Sequence, residues 1–202
     1  MHEPIVFQTK KRFSGWLRTA ILFCALATPA SALAHAGHDE GMWAGFLHPF
    51  LGLDHLLAAI AVGIWGTRAG GRALWALPLA FVGAMAAGLG LSVAPVPIPA
   101  PELMIAASVL LLGALIALDV RLTVVPGMLL VALFAPFHAA AHAMEMPASS
   151  SVFVYFGGLL LSTALLHAAG IAAAFALRDR ALVLRLAAAP IALAGMWMVL
   201  AR

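Results

Sequence analysis

A chain of 202 residues with 64% hydrophobic and only 9% charged side chains is not a water-soluble globule, because a soluble domain carries about 25% charged residues. Its mean hydropathy of +1.07 points instead to a protein in which nearly every segment crosses a bilayer. The formal charge of +3 includes no basic block large enough for nucleic acid, and Cys24, the only cysteine, rules out a disulfide within the chain.

Residues 1–34 read as a signal peptide. Lys10, Lys11, Arg12 and Arg18 make a basic start, residues 19–29 a short apolar stretch, and Ala32-Leu33-Ala34 a small-x-small cleavage pattern. That stretch is short for a span, which takes about 20 residues; an uncleaved anchor helix is the alternative. Phe23 is too bulky to precede a lipidated cysteine at Cys24. Cleavage removes Cys24 and with it any thiolate ligand. It leaves residues 35–42 as an extracytoplasmic tail that begins His35-Ala36-Gly37-His38. The new amine and the His35 ring can chelate a divalent ion together, with His38 close behind. Otherwise this is a solvated tail that contains histidines.

Residues 43–202 form the membrane-spanning body. Six apolar segments run approximately 43–66, 73–93, 102–119, 123–143, 152–177 and 182–201. Each is long enough for a helix across a hydrocarbon core of about 30 Å. Their apolar runs are continuous rather than alternating, so they are helices and not barrel strands. The expected fold is therefore all-α: a polytopic membrane protein with six transmembrane helices after a cleavable signal peptide. Small residues recur within the spans, as close helix packing in lipid requires.

Loop charges orient the chain. If the leader exports the mature N-terminus, Arg68, Arg72, Arg121, Arg178, Arg180 and Arg185 all fall on the cytoplasmic side. The outer loops, 92–101 and 144–151, contain no Lys or Arg. Arg202 alone falls on the outer side. The expectation is a multi-pass protein of the bacterial inner membrane with a periplasmic N-terminus.

Two polar clusters interrupt these apolar segments: His48-Pro49-Phe50-Leu51-Gly52-Leu53-Asp54-His55 and Phe137-His138-Ala139-Ala140-Ala141-His142-Ala143-Met144-Glu145. An ionisable group at such a depth costs several kcal/mol, about 2.5–3.5 even on insertion scales, and is read as functional. His138, His142 and Glu145 stand at i, i+4 and i+7, on one face of a helix. Two imidazoles and a carboxylate so placed can reach one divalent cation. His48 and His55 also share a face, but lie about 10 Å apart along a regular helix. Pro49 removes a backbone donor between them and Gly52 permits unwinding, as in the interrupted helices of transporters. Asp54 either ligates directly or orients a histidine. The topology puts both clusters in the outer half of the membrane, at one depth.

Other polar residues are less decisive. His167, beside Ser162 and Thr163, is either a deeper station on an ion path or a helix–helix hydrogen bond. Glu102 is either a carboxylate at the outer mouth or a solvated loop end. Asp119 pairs with Arg121 or with solvent. Met144 and Met146 flank Glu145, and soft thioethers there keep copper in play.

At these residues the chain resembles the HupE/UreJ family of bacterial nickel/cobalt permeases. The likeness lies in His48-Pro49-x-x-Gly52-x-Asp54-His55, in Phe137-His138-x3-His142-x2-Glu145 and in Ala164-Leu165-Leu166-His167, together with the leader, the histidine-bearing mature start and the six-span layout. Family members often have glycine where this chain has Ala143, a departure that touches local packing rather than the ligands. The resemblance implies uptake of Ni2+, or Co2+, as transported substrate and not as a resident cofactor. It also implies delivery to cytoplasmic partners of hydrogenase, urease or cobalamin synthesis, such as metallochaperones.

The chemistry of the candidate ligands His48, Asp54, His55, His138, His142, Glu145, His167, His35, His38 and Glu102 suits Ni2+, Co2+, Zn2+ and Cu2+ alike. No GxxxxGK[ST] loop is present, so the drive is a potential, an ion gradient or cytoplasmic trapping. The competing readings are a permease for copper or zinc, and an intramembrane zinc-dependent hydrolase. The latter has no HExxH in its favour, and the expectation is a protein that is not an enzyme.

Overall fold

The computed structural model describes residues 39–93 and 98–202. The signal peptide, its cleavage site, His35 and His38 lie outside the described residues. Within them the chain is entirely helical, with no strand: α1 (Asp39–Leu51), α2 (Leu53–Ala69), α3 (Ala73–Val93), α4 (Pro101–Ala117), α5 (Val124–Met144), α6 (Val152–Ala176) and α7 (Ala181–Leu200).

Each apolar segment read from the sequence coincides with one helix or with a helix pair. The first differs most from expectation. It begins at Asp39, inside the expected 35–42 tail, and it is two helices that meet at Gly52 with a bend of 82°. Gly52 has an extended backbone, φ −92° and ψ 114°, and no side chain caps α2. Pro49 has no N–H to give to the preceding turn, so the ladder is already weakened where the chain turns. Four helices, α3, α5, α6 and α7, are long and apolar enough to cross a membrane, and the bent α1–α2 pair makes up to five. Helix α4 is apolar but spans only 17 residues.

Large apolar side chains face outward on several helices, among them Leu79, Leu129, Phe153, Leu186 and Trp197. A soluble monomer rarely shows apolar surface on this scale; lipid solvates it at no cost. The interior combines buried apolar side chains, such as Trp65, Leu77 and Phe156, with close backbone contact. A Cβ on Gly45 would meet the carbonyl of Tyr155, and one on Gly158 the carbonyl of Met42, so α1 rests directly on α6. Gly63 meets the carbonyl of His167 and Gly170 that of Ile60 in the same way between α2 and α6. Gly113 and Gly195 bring α4 and α7 equally close, against the backbone nitrogens of Ala192 and Leu110. Small residues at helix interfaces allow such approach in lipid, where apolar burial between helices gives little driving force.

The arginine-rich end is tied by polar contacts. Arg68 gives Nη2 to Asp119 Oδ1 at 2.5 Å and Arg121 gives Nη2 to Oδ2 at 3.1 Å. Asp119 thus pairs with Arg68 as well as with the Arg121 expected from sequence. Hydrogen bonds from Arg121 and Arg68 hold its carboxyl below the ordinary value, against the opposing effect of burial. The Trp65 indole donates to the Val120 carbonyl at 2.9 Å, and Arg185 Nε to that of Ala117 at 2.8 Å.

Candidate metal centre

The bend at Gly52 decides the geometry. It brings the His48 and His55 rings to 6.4 Å between centroids, far closer than their separation on a regular helix would allow. Gly52 also leaves the room this needs: a Cβ there would stand 3.0 Å from His55 Nδ1 and 3.1 Å from Asp54 Oδ1. Helix α5 then supplies His138 and His142 from one face, and the two clusters meet. His142 lies 4.9 Å from the His48 ring and 4.1 Å from the His55 ring, and His138 lies 5.3 Å from His55.

At the open end, Glu145 Oε2 stands 2.7 Å from His48 Nε2. His48, His142 and Glu145 each offer one donor atom within 4.8 Å of the others. A divalent ion holds nitrogen and oxygen ligands at about 2.0–2.2 Å, so small side-chain adjustments close this set around one. Exposure falls along the series. Glu145 is 51% exposed and His48 23%, whereas His55, His138, His142 and His167 are all buried.

Deeper in, the nitrogens are set for ligation. Asp54 Oδ1 accepts from the His55 backbone N–H at 2.9 Å and from His55 Nδ1 at 2.8 Å. His138 Nδ1 donates to the Phe134 carbonyl at 3.2 Å, and His167 Nδ1 to the Ala59 carbonyl at 2.7 Å. Carbonyl oxygens only accept, so in the neutral ring the proton sits on Nδ1 and the lone pair on Nε2. His55, His138 and His167 Nε2 and His142 Nδ1 are all buried without a hydrogen-bond partner among the described residues. A buried polar atom left unpaired costs about 1–3 kcal/mol, and three such nitrogens on the neighbouring rings of His55, His138 and His142 point to a ligand. His55 with Asp54 has the carboxylate–histidine arrangement that fixes ring orientation at metal sites. Asp54 accordingly orients a histidine in this geometry.

A small cavity lies among Pro49, His55, Ala59, Phe81, His138, His142 and Thr163, with Met85 also on its wall. The Phe81 ring stands edge-on between His138 and His167, 5.2 Å from one and 5.3 Å from the other. His167 therefore has its helix–helix hydrogen bond, to α2, and is also separated from the other histidines by one aromatic ring. Glu102 stands apart from the histidines and pairs with Arg202. Met144 is exposed.

Several residues of the site carried no sequence signal. Phe81, Met85 and Tyr155 sit in uniformly apolar stretches. The Tyr155 ring is 6.1 Å from His48, with its hydroxyl buried and unpaired. Thr163 gives its hydroxyl to the Leu159 carbonyl.

Comparison with known proteins places the chain in a family. Residues 22–198 match the sequence profile of a family described as HupE / UreJ protein. The chain is 41% identical over 174 residues to the Protein HupE of Rhizobium leguminosarum bv. viciae, covering 85% of this chain and 91% of the relative. No solved structure matches it significantly.

Proposed function

We infer that this chain, which belongs to the HupE/UreJ family of nickel and cobalt transporters, carries Ni2+, or Co2+, into the cytoplasm along a path lined by His, Asp and Glu. The observation that carries the reading is the convergence of α1, α2 and α5. Their ring and carboxylate donors run in series from Glu145 and His48 at the open end, through His142 and His55, to His138. An ion that leaves water needs replacement ligands at each step, and conduction needs several sites of moderate strength rather than one tight cage. His48, His142 and Glu145 make the outer station. His55, oriented by Asp54, and His138 make the next, with Nε2 lone pairs free to receive the ion. His167 is the station beyond Phe81.

The reading includes a bacterial inner-membrane location and six spans, with the α1–α2 pair as the first and α4 as a short third. The mature N-terminus is periplasmic, and His35 and His38 in the preceding tail capture ions. Cytoplasmic metallochaperones of hydrogenase or urease are the receiving partners. Imidazole and carboxylate donors fit Ni2+ and Co2+ and equally Zn2+ and Cu2+, so choice among them rests on geometry. Family membership favours transport over the intramembrane hydrolase.

The test is Ni2+ flux into liposomes that contain the full chain, with cobalt, copper and zinc as competitors. Native protein is expected to raise nickel influx over empty vesicles, and His48→Ala or His138→Ala to abolish that influx while insertion persists. Influx no greater than that of empty vesicles would overturn the reading.

A further inference from the structure

Arg202 is the one arginine that the loop-charge pattern left unexplained, because it follows α7 at the end opposite the other described arginines. Its guanidinium is shared between two carboxylates. Nη2 donates to Asp54 Oδ2 at 3.2 Å and Nη1 lies 2.9 Å from Glu102 Oε2. Its position is built into the fold. Helices α4 and α7 are antiparallel and touch backbone to backbone at Gly113 and Gly195, so the end of α7 arrives beside Glu102 in the first turn of α4. Asp54 opens α2 on the other side. Its remaining oxygen, Oδ1, is already committed to His55. The guanidinium is thus one residue's reach from His55, whose buried Nε2 has no partner among the described residues. With Arg202 at 31% and Glu102 at 51% exposure, the bridge is open to the aqueous side.

We propose that Arg202 is a tethered cation that occupies the Asp54–Glu102 carboxylate pair in the ion-free protein and sets how tightly the outer mouth takes a divalent cation. This rests on the transport reading and adds a residue to it. A guanidinium does not lose its proton in a protein, so its charge is present at every working pH. An arriving ion meets two acids already neutralised by a competitor that cannot diffuse off, so their charge adds nothing to its attraction until the guanidinium moves aside. The competitor weakens capture, and by returning to the carboxylates it also favours release. Arg202 touches neither the outer His48–His142–Glu145 set nor the buried nitrogens. It acts on the ion through the two acids.

The experiment is initial-rate Ni2+ uptake, over a range of Ni2+ concentrations, into liposomes containing the full chain with Arg202, Arg202→Gln or Arg202→Lys. Loss of one positive charge close to a divalent ion at a partly exposed mouth is expected to lower the half-saturating Ni2+ concentration about ten-fold or more. The maximal rate does not rise with it. Arg202→Lys keeps the charge and is expected to stay near the native value. A half-saturation that is unchanged or raised in Arg202→Gln overturns the proposal, as does a lysine variant that behaves like the glutamine one.

A second measurement needs no variant. Phenylglyoxal modification of Arg202 in the native chain, followed by mass spectrometry, is expected to speed up when Ni2+ is added and not when Mg2+ is. Modification that is unchanged or slowed by Ni2+ also overturns it. A native chain that moves no Ni2+ defeats the transport reading instead, and leaves the modification result to decide the role of Arg202.

Discussion

Asp54 shows how one carboxylate can be used completely. Its Oδ1 takes two hydrogen bonds from His55 and its Oδ2 takes one from Arg202. The consequence for His55 is a fixed tautomer with Nε2 turned to the other rings. Asp54→Asn keeps the shape and one acceptor oxygen, but loses the charge that polarises the imidazole and holds the guanidinium. Removing such an orienting partner typically costs about 10–100-fold in metal affinity. That loss is expected for Ni2+ binding to the purified Asp54→Asn chain, measured by titration calorimetry in detergent. The sign is opposite to that expected for Arg202→Gln, although both break the same ion pair. Equal Ni2+ affinity in Asp54→Asn and native chain would mean that His55 needs no such support, or holds no ion.

At the scale of the element, the site depends on a broken helix laid against an unbroken one. Helices α1 and α2 both seat on α6 through glycines whose missing side chains let carbonyls approach. The hydrogen bond from His167 to Ala59 forms across the α2–α6 part of that contact. A methyl group at Gly170 would collide with the Ile60 carbonyl, whereas one at Gly157 or Gly83 meets nothing within 4 Å. Overpacking of this kind costs about 1–3 kcal/mol. Gly170→Ala is therefore expected to lower the thermal midpoint of the detergent-solubilised chain, while Gly157→Ala and Gly83→Ala leave it within error; equal midpoints for all three would contradict the packing described. The same elements show what could be read in advance. The apolar runs marked where the helices lie, because hydropathy depends only on composition. Pro49 and Gly52 marked where the first one breaks. The angle was not legible: 82° is set by how α1 and α2 pack on α6, and that contact joins residues about a hundred positions apart. The spacing of His48 and His55 on a straight helix consequently overstated their separation. The i, i+4, i+7 face of α5 was legible for the opposite reason, since α5 runs regularly through His138 and His142. Phe81 and Met85 stayed hidden because a core aromatic or thioether looks the same whether it packs or lines a path. Arg202 announced itself as an exception, but its partners come from α2 and α4, which sequence proximity does not connect.

The molecule as a whole is polarised. One end gathers Arg68, Asp119, Arg121 and Arg185, tied to each other or to nearby carbonyls. The other gathers Glu145, His48, Asp54, Glu102 and Arg202. The first end carries an excess of arginine in short loops, which in a bilayer selects the cytoplasmic side. The second offers carboxylates and imidazoles to water, as a surface that collects divalent cations must. On the transport reading both arguments orient the chain the same way, one from insertion and the other from capture. The orientation is open to direct measurement because Cys24 is the sole native thiol. In a Cys24→Ser background, Ser149→Cys lies in the exposed connection after α5 and Asp179→Cys in the exposed connection after α6. A membrane-impermeant maleimide applied to intact spheroplasts is expected to label Ser149→Cys and to spare Asp179→Cys until the membrane is opened. The reverse pattern would place Glu145 and His48 in the cytoplasm. The histidine series would then run outward, and the chain would be built to export the ion rather than admit it.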